Sequence, residues 1–501
     1  MELFAWTFIY LCFGFFAWKT FSFIHAYVKQ YRKVLKLPQK KSHWLFGHLK
    51  EVKNSKDYMN YAFDLTKTGS KVYCLWTGPL PVVGVTHPET FKQLIGQEHR
   101  KARGHNEPYT LIQEWIGEGL LVSGDRKWER SRKLLTPAFH FNILTGYIDV
   151  MNTVSDTFQD KVLGRMSESR SVDIYPLACR ATLDAMMKCS LSFDGCMQSK
   201  ENDEYVEAVQ RISTLIFNRM LFPFIPVWLY YLTPEGREWR RLIGVLQTFT
   251  RNIIDARKLA CVMKEHPLEV GQSDRKRRLD FLDILLTATD EHGRGLDREE
   301  IQSEVDTFTF EGHDTTGSAL AWSIYALGQN PKIQAKVYED VTAVLGDKNH
   351  VDATDLHDFK YLPKYIKEVM RYYSPVPLIA RKSAKTLVID GYEVPPGTRV
   401  DINIYATHHN PAIWDTPEMF DPERFDADNK DGNDVFGFIP FSAGNRNCIG
   451  QVFALNEIKI CLAKFVKRFE VFPDPEHKPD LMPDVITRST TGLKVILKER
   501  S

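Results

Sequence analysis

The sequence is poor in cysteine, and its cysteines are not arranged in pairs. Eight cysteines, at positions 12, 74, 179, 189, 196, 261, 448 and 461, are spread over 501 residues, and none forms a C-x-x-C motif. Small proteins that depend on disulfides have a far higher density of cysteine. We therefore expect most of the chain to lie in a reducing compartment.

The chain also has almost no net charge. Its 65 lysines and arginines against 64 aspartates and glutamates give a formal charge of +1. Proteins that bind a long stretch of nucleic-acid backbone are usually strongly basic, so we expect no nucleic-acid partner. With 43% hydrophobic and 26% charged residues, the composition excludes collagen, disorder and a polytopic membrane protein.

Internal repeats, low-complexity tracts and Gly/Ser/Pro-rich linkers are absent from the sequence. A chain of this length would suggest three domains at roughly 150 residues each, but without a linker we expect a single large domain. Most of residues 90–385 have a helical pattern, whereas residues 71–86 and 385–405 are rich in β-branched residues interrupted by turn signals. The sequence thus predicts a mainly α protein with a small β region.

The longest apolar stretch is at the N-terminus. As a helix, residues 3–28 would extend about 39 Å, and the uncharged residues 3–18 about 24 Å, compared with about 30 Å for a bilayer core. Seven lysines and arginines follow before Glu51, and this basic side should remain cytosolic. We predict a signal anchor at residues 1–28, a basic linker at 29–50 and a cytosolic catalytic domain at 51–501. A cleaved signal peptide is the alternative, but the basic start and the small-residue cleavage site are absent.

One cysteine lies within a distinctive motif. Cys448 belongs to FSAGNRNCIG, a glycine-flanked turn that precedes a helix-forming run. A helix N-terminus and a nearby cation such as Arg446 stabilise a thiolate, although an isolated cysteine is more often a buried, inert side chain. The pattern F-x-x-G-x-R-x-C-x-G resembles the haem-binding loop of the cytochromes P450. The resemblance implies the cytochrome P450 fold, with Cys448 as the axial ligand of the haem iron.

Two further segments resemble the network that supports this loop in the family. Glu368 and Arg371 are spaced i, i+3 on one helical face and match the E-x-x-R pair. Arg424 matches the arginine that completes a buried network. Outside this context, such a pair is usually a solvated ion pair.

Other basic residues match the positions that hold the haem propionates. Trp128 and Arg132 resemble the W-x-x-x-R helix of the family, and the guanidinium group suits a carboxylate. Arg381 and Arg446 match further propionate ligands, although Arg381 alone could equally be a surface arginine.

Residues 297–330 read as one long helix that contains EGHDTT at 311–316. A glycine inside a helix costs about 1 kcal/mol relative to alanine, and threonine next to aspartate competes for backbone hydrogen bonds. We therefore predict a local distortion. In the family this helix crosses the distal face of the haem, which implies that Thr315 and Asp314 are catalytic and deliver protons to bound oxygen. A pair of threonines that bends a core helix is the alternative.

Glu311 narrows the resemblance to family 4 of the cytochromes P450. EGHDTT, LTPAFHF at 135–141 and FSAGNRNCIGQ resemble that family, many of whose members form an ester between this glutamate and a haem methyl group. Glu311 could instead be a protonated buried acid or could pair with a cation. For His313 we find no partner at metal-ligand spacing, so we do not expect a zinc site.

The resemblance implies a membrane-anchored haem-thiolate monooxygenase in the endoplasmic reticulum, with haem b as cofactor. Electrons would come from NADPH through NADPH–cytochrome P450 reductase, with cytochrome b5 as a further partner. The implied reaction is hydroxylation of a long-chain fatty acid or eicosanoid at or near its ω end. Two alternatives stay open, a haem-thiolate isomerase or dehydratase that acts on lipid peroxides and a non-catalytic membrane-tethered haem protein. Asp314-Thr315 argues against the first, which needs no proton delivery to O2.

The helix that carries Trp128 also has a basic stripe. Arg126, Arg130 and Lys133 fall on the side opposite Trp128 at 100° per residue. We predict that this stripe docks an acidic reductase. Ordinary solvated charge is the alternative.

Overall fold

The computed structural model describes residues 2–97, 100–104, 107–199, 204–223, 225–264, 280–426 and 435–500. Among these residues the helices are α1 (Glu2–Tyr31), α2 (Ser55–Thr66), α3 (Pro88–Gln97), α4 (Pro108–Ile116), α5 (Asp125–Leu135), α6 (Phe141–Leu144), α7 (Ile148–Glu168), α8 (Ile174–Ser190), α9 (Glu204–Leu221), α10 (Val227–Tyr230), α11 (Pro234–Lys264), α12 (Phe281–Thr287), α13 (Arg298–Gln329), α14 (Pro331–Leu345), α15 (Asp355–Asp358), α16 (Leu362–Tyr373), α17 (Ile404–His408) and α18 (Gln451–Arg468). Short 3₁₀ turns include Pro422–Phe425 and Gly444–Arg446.

The strands belong to small sheets at the edge of the helical body. They are β1 (Val72–Thr77), β2 (Leu80–Val85), β3 (Val172–Asp173), β4 (Leu378–Lys382), β5 (Leu387–Ile389), β6 (Tyr392–Val394), β7 (Arg399–Asn403), β8 (Phe469–Pro473), β9 (Leu481–Pro483), β10 (Thr487–Ser489) and β11 (Lys494–Glu499). The largest described sheet has the order β1-β2-β7-β4, with β2 and β7 parallel and the other pairs antiparallel. The mainly α fold with a small β region, predicted from the sequence, is confirmed.

Turn residues fix the hairpins as the sequence predicts. β1 and β2 pair antiparallel around Gly78, which has φ of +60°. β5 and β6 are joined by Asp390 and Gly391, with φ of +51° and +79°, so both residues adopt the left-handed conformation that tight hairpin turns need.

The long helix α13 forms the centre of the fold. It packs against α8, α11, α16, α18 and β8, so most of its side chains are buried. It begins at Asp297, whose side chain accepts a hydrogen bond from the Glu300 backbone while the Glu300 side chain accepts one from the Asp297 backbone. This capping box fixes the start of the helix.

The glycines of α13 allow α8 to come close. A Cβ atom on Gly312 would lie 2.6 Å from Sδ of Met186, and one on Gly317 would lie 3.0 Å from the Cα of Cys179. The sequence predicts a local distortion here, and the structure instead has an unbroken helix. The Thr315 and Thr316 hydroxyls donate to carbonyls one turn earlier, a contact that satisfies both hydroxyls within the helix and often bends a helix slightly.

The N-terminal helix α1 is rich in aromatic residues. Its exposed aromatic side chains include Trp6, Tyr10, Phe13, Phe15, Phe16, Trp18 and Phe21. Within the part of the chain that the structure describes, no helix is both long and apolar enough to span a membrane, so the predicted transmembrane anchor is not confirmed.

Part of the stretch predicted as a linker is packed against the β1-β2-β7-β4 sheet. Val34 and Leu37 are buried in a hydrophobic cluster with β1, β2 and β7. The Cys74 backbone donates to the Pro38 carbonyl at 2.9 Å. The chain therefore joins the folded body by residue 34.

We expect a buried acid on α13 to make stability depend on pH. Asp306 is 1% exposed, accepts hydrogen bonds from Thr250 and Gln302, and its pKa is raised from 3.8 to about 7 by burial. Because its pKa is higher in the folded state, its contribution to stability is complete below pH 3.8 and is lost as pH rises to about 7.

Asp306→Asn should therefore raise the melting temperature at about pH 8 but not at about pH 4. Thermal unfolding of both proteins at the two pH values tests this. Glu299→Gln, an exposed change on the same helix, should have no effect at either pH. An equal shift at both pH values for Asp306→Asn would contradict the titration argument.

Candidate functional site

A cavity lies between α5, α13 and the loop that precedes α18. Much of its lining is apolar, including Phe139, Phe308 and Ile379. The structure brings six of the sequence-predicted site residues together in its wall: Trp128, Arg132, Glu311, Thr315, Arg446 and Cys448. The wall therefore combines an apolar surface with a few converging polar groups, as ligand sites usually do.

The cysteine loop is held by its own backbone. The Cys448 N–H donates to the Phe441 carbonyl at 2.9 Å, and Ser442 and Gly444 have φ of +59° and +69°. A Cβ atom on Gly444 would lie 2.8 Å from Ile95, so glycine is needed there for both conformation and space. The exposed part of Cys448 faces the cavity.

The Cys448 thiol is suited to bind a metal ion. Burial raises its pKa to about 12, whereas Arg132 and Lys101 lower it. The sequence predicts that Arg446 is the cation that stabilises the thiolate. The Arg446 guanidinium instead lies 4.0 Å from the centre of the Trp128 ring and donates to the Ser123 carbonyl. A thiol with a raised pKa is a poor free nucleophile, but metal coordination deprotonates it.

Four positively charged side chains interact with one another at this end of the cavity. Lys101, Arg132 and Arg446 line the cavity with the thiol, whereas Arg381 is buried outside its described wall, next to Lys101 and Arg446. Burial and the neighbouring arginines lower the pKa of Lys101, and the pKa of Arg446 falls to about 10 for the same reasons. Nε and Nη2 of Arg446 are buried without a hydrogen-bond partner. Among the described residues that line the cavity, only Glu311 is acidic.

These residues fit haem. The cations provide donors for two propionates, and the unpartnered nitrogens of Arg446 need an acceptor because burial of an unsatisfied polar group is costly. Arg132 is held in place by the Asn447 backbone carbonyl at 3.0 Å and side-chain oxygen at 2.9 Å. Cys448 lies in the same wall, where its thiol could ligate the iron.

Lys101 is a site residue that the sequence analysis missed. It lines the cavity, and its ammonium lies 3.3 Å from the Tyr109 hydroxyl. A backbone bridge between Lys101 and Arg381 brings it there. Nothing in the local sequence distinguishes it from the neighbouring basic residues, because the bridge joins segments 280 residues apart.

The helix α13 provides the opposite wall. Glu311, Gly312 and Thr315 line the cavity, and the Thr315 hydroxyl donates to the Glu311 carbonyl at 2.7 Å. Burial raises the pKa of Glu311 to about 7, opposed by Lys101 and Arg132. Glu311 therefore faces both the thiol and the cations.

Asp314 is not brought into the cavity. It is 1% exposed, both carboxyl oxygens lack a hydrogen-bond partner, and burial raises its pKa. It interacts electrostatically with Tyr175, Cys179 and Arg488 on the other side of α13.

His313 contributes to packing. Its Nδ1 donates to the Thr309 carbonyl at 2.6 Å, and its ring contacts Tyr205. Within the described segments, no group of three His, Cys, Asp or Glu side chains could hold a metal ion.

A second, smaller cavity extends the first. The two share Leu121, Glu311, Thr315, Val376 and Ile379. Beyond these residues the second cavity is walled mainly by apolar side chains, with Asp484 at one side: Pro108, Tyr109, Ile112, Ile216, Phe217, Met220, Phe310, Leu378, Ala380, Val485 and Ile486. An elongated apolar molecule could therefore reach Thr315 from this side.

The predicted ion network is present and buried. Arg371 donates from Nε and Nη2 to the two Glu368 oxygens, both at 2.7 Å, and both side chains are fully buried. Arg424 reaches the same carboxylate at 3.4 Å and donates to the carbonyls of Asp415, Thr416 and Met419. The network thus fixes the segment 415–424.

His408 connects this network to the cysteine loop and was not predicted. Its carbonyl accepts from Arg371 at 2.8 Å, and its Nε2 accepts from the Ile439 N–H at 3.1 Å. Nε2 is therefore unprotonated, so Nδ1 carries the hydrogen toward Ser374 Oγ at 2.8 Å. The residues lie on three segments, which sequence spacing cannot bring together.

The predicted docking stripe is only partly available. Arg130 pairs with Asp290 at 2.8 Å and Glu300 at 3.1 Å, and its side chain is 21% exposed. Its further bonds to the carbonyls of Arg294 and Gly295 tie α5 to the start of α13. The sequence-based role for Arg130 is therefore wrong, because its charge is neutralised within the chain.

Comparison with known proteins gives consistent matches. A family model described as cytochrome P450 matches residues 37–497. Cytochrome P450 4F6 of Rattus norvegicus is 38% identical over 460 residues, which cover 90% of this chain and 85% of that protein. Leukotriene-B4 omega-hydroxylase 3 of Mus musculus is 35% identical over 477 residues, which cover 94% and 91%. The solved haem domain of cytochrome P450DA has the same fold, with a TM-score of 0.78, 24% identity and coverage of 93% and 98%.

We expect loss of the Glu368 charge to destabilise the fold strongly. Glu368→Gln keeps the shape of the side chain but leaves Arg371 as an uncompensated buried charge, which should cost about 3–5 kcal/mol of unfolding free energy. Denaturant unfolding measures this cost. The exposed i, i+3 pair Arg165–Glu168 provides the control, since Glu168→Gln should cost less than about 1 kcal/mol. Equal costs for the two variants would contradict the argument.

Proposed function

Because the chain belongs to the cytochrome P450 family, we propose that it is a monooxygenase that hydroxylates a long-chain fatty acid or eicosanoid at or near its ω end. The family predicted from the Cys448 loop is thereby confirmed. The observation that carries the proposal is one cavity with Cys448 and a cation cluster on one wall and Glu311 and Thr315 on the other. Its apolar extension supplies room for an alkyl chain.

The bound haem would supply oxygen activation, with Cys448 ligating its iron and with Trp128, Arg132, Arg381, Arg446 and Lys101 holding its propionates. We propose that the apolar lining excludes bulk water from the reacting carbon.

Proton delivery is assigned to Thr315 and Asp314. The Thr315 hydroxyl lies in the cavity wall and donates its hydrogen to the Glu311 carbonyl, so its oxygen can accept a hydrogen bond from the cavity side. Asp314 directly precedes Thr315 in the sequence. Burial raises the pKa of Asp314, which favours the protonated form of its carboxyl group. Delivery from Asp314 would require a side-chain rotation, because its carboxyl lies on the other side of the helix.

The substrate class is supported by both the cavity shape and the relatives. One relative is named as a leukotriene-B4 omega-hydroxylase. Terminal C–H bonds are stronger than those of the next methylene group, so ω selectivity must come from positioning of the chain. Each tenfold preference requires a difference of about 1.4 kcal/mol between the two activation free energies. The apolar side chains Phe217, Met220 and Phe310 could confine the chain.

We propose attachment to the endoplasmic reticulum membrane through α1, with residues 51–501 as the cytosolic catalytic domain. The exposed aromatic residues of α1 support this, as do exposed apolar groups at 44–46 and at Trp228, Leu229 and Leu232. NADPH–cytochrome P450 reductase would supply electrons, with cytochrome b5 as a second donor.

Reconstitution with reductase and NADPH tests the proposed reaction. Wild-type protein should convert saturated and polyunsaturated fatty acids to ω-hydroxylated products and give the red-shifted CO band of a thiolate-ligated haem. Cys448→Ser should abolish both. Peroxide-dependent rearrangement without NADPH would favour an isomerase, and an unchanged CO band in Cys448→Ser would overturn the assignment of the ligand.

We expect turnover to join the Glu311 carboxylate to a haem methyl group as an ester. One methyl C–H bond is broken and one C–O bond forms, and the two electrons released are taken up by O2, the oxidant of the proposed reaction. The carboxyl lies in the cavity wall, and an ester would remove the cost of burying its charge. After turnover, denatured wild-type protein should retain haem absorbance and mass in acidic organic solvent. Glu311→Ala should release its haem completely. Complete release from turned-over wild-type protein would contradict the ester without affecting the monooxygenase assignment.

A further inference from the structure

Glu304 is a buried acid on α13 that belongs to none of the family motifs described above. It is 1% exposed and lies two turns before Glu311 on the same helical face. Its Oε2 accepts a hydrogen bond from the Leu120 N–H at 2.9 Å, and it is also hydrogen-bonded to Ser131 of α5. One carboxylate therefore joins α13, α5 and the loop 117–123.

The loop 117–123 lies directly on α13. A Cβ atom on Gly117 would be 2.2 Å from Ser303 Oγ, and one on Gly119 would be 2.2 Å from Thr307 Oγ1. Ser303 and Thr307 flank Glu304 on the helix. The two glycines allow the loop backbone to come close enough for the Glu304 carboxylate to accept from Leu120.

The position of this loop defines part of the cavity. Leu120 and Leu121 line the larger cavity, and Leu121 also lines its extension. At the end of the loop, the Ser123 carbonyl accepts a hydrogen bond from Arg446 Nη1 at 2.9 Å. A shift of the loop would move the apolar wall that faces Thr315.

We propose that Glu304 is a positioning residue that determines regioselectivity. It fixes the loop 117–123, and the loop in turn fixes Leu120 and Leu121, which limit the space available to the end of an alkyl chain in the cavity. This inference rests on the proposed hydroxylation of a fatty acid. Glu304 does not contact the substrate in this assignment and acts only through the loop.

The same loop offers a matched control. Glu118 pairs with Arg103 at 2.5 Å and Lys127 at 3.2 Å, and more than a third of its side chain is exposed. Its ion pairs lie at the surface and do not involve the Leu120 backbone. Removing the Glu118 carboxylate should leave the cavity wall in place.

The test uses the haem-loaded full chain with reductase, NADPH and dodecanoic acid as substrate. Glu304→Ala should lower the ratio of ω to in-chain products by about threefold to tenfold, the effect expected from the loss of one or two hydrogen bonds. Hydrogen exchange of the Leu120 amide should become faster. Glu304→Gln keeps an oxygen acceptor and should restore both properties, whereas Glu118→Ala should resemble wild type.

Gly119→Ala provides a second variant if Glu304→Ala does not bind haem. The added methyl group should displace the loop from Thr307 while Glu304 remains, and it should lower the product ratio in the same direction. An unchanged ratio in either variant that still hydroxylates the substrate would overturn the proposal, as would unchanged exchange at Leu120 in Glu304→Ala. Absence of hydroxylated product from wild type would instead refute the proposed function, while the exchange measurement would still test the contact.

Discussion

Concentrated positive charge near the cavity is the constraint that organises the site. Lys101, Arg132, Arg381 and Arg446 come from four separate segments and repel one another where water is scarce. Such an arrangement is costly until an anionic ligand shares the space. The surrounding contacts keep the cations in place, with Arg446 stacked on Trp128 and Arg132 bonded to Asn447. The fold thus fixes the donors before the ligand arrives.

The cysteine wall is fixed in a different way. The Glu368–Arg371 pair binds the carbonyl of His408, and the ring of His408 accepts from Ile439 at the start of the cysteine loop. Each bond in this series is buried, so its loss would leave an unsatisfied polar group. The loop is consequently held at both ends, by the His408 contact and by the start of α18.

Whether a site residue could be predicted from the sequence depended on how far along the chain its interaction partners lie. Cys448, Trp128, Arg132 and the Glu368–Arg371 pair lie in short local patterns, and their family match predicted the fold and the cavity wall. Lys101, His408 and Glu304 gain their roles from partners 280, 31 and 184 residues away, which no local spacing reveals. The glycines of α13 gain a role that the sequence did not predict, because they accommodate α8. The role of Arg130 was wrong because acids from another segment neutralise its charge.

The close approach of α8 to α13 divides the cavity into walls of different stiffness. A Cβ atom on Gly317 would lie 3.0 Å from the Cα of Cys179, so the backbone of α8 packs tightly on α13 and we expect the two helices to move together. The α9 wall of the extended cavity packs mainly on α11 and carries no such restriction. Substitutions on the α9 side can therefore change the length of the alkyl chain that the cavity accepts, while the geometry around Thr315 stays constant.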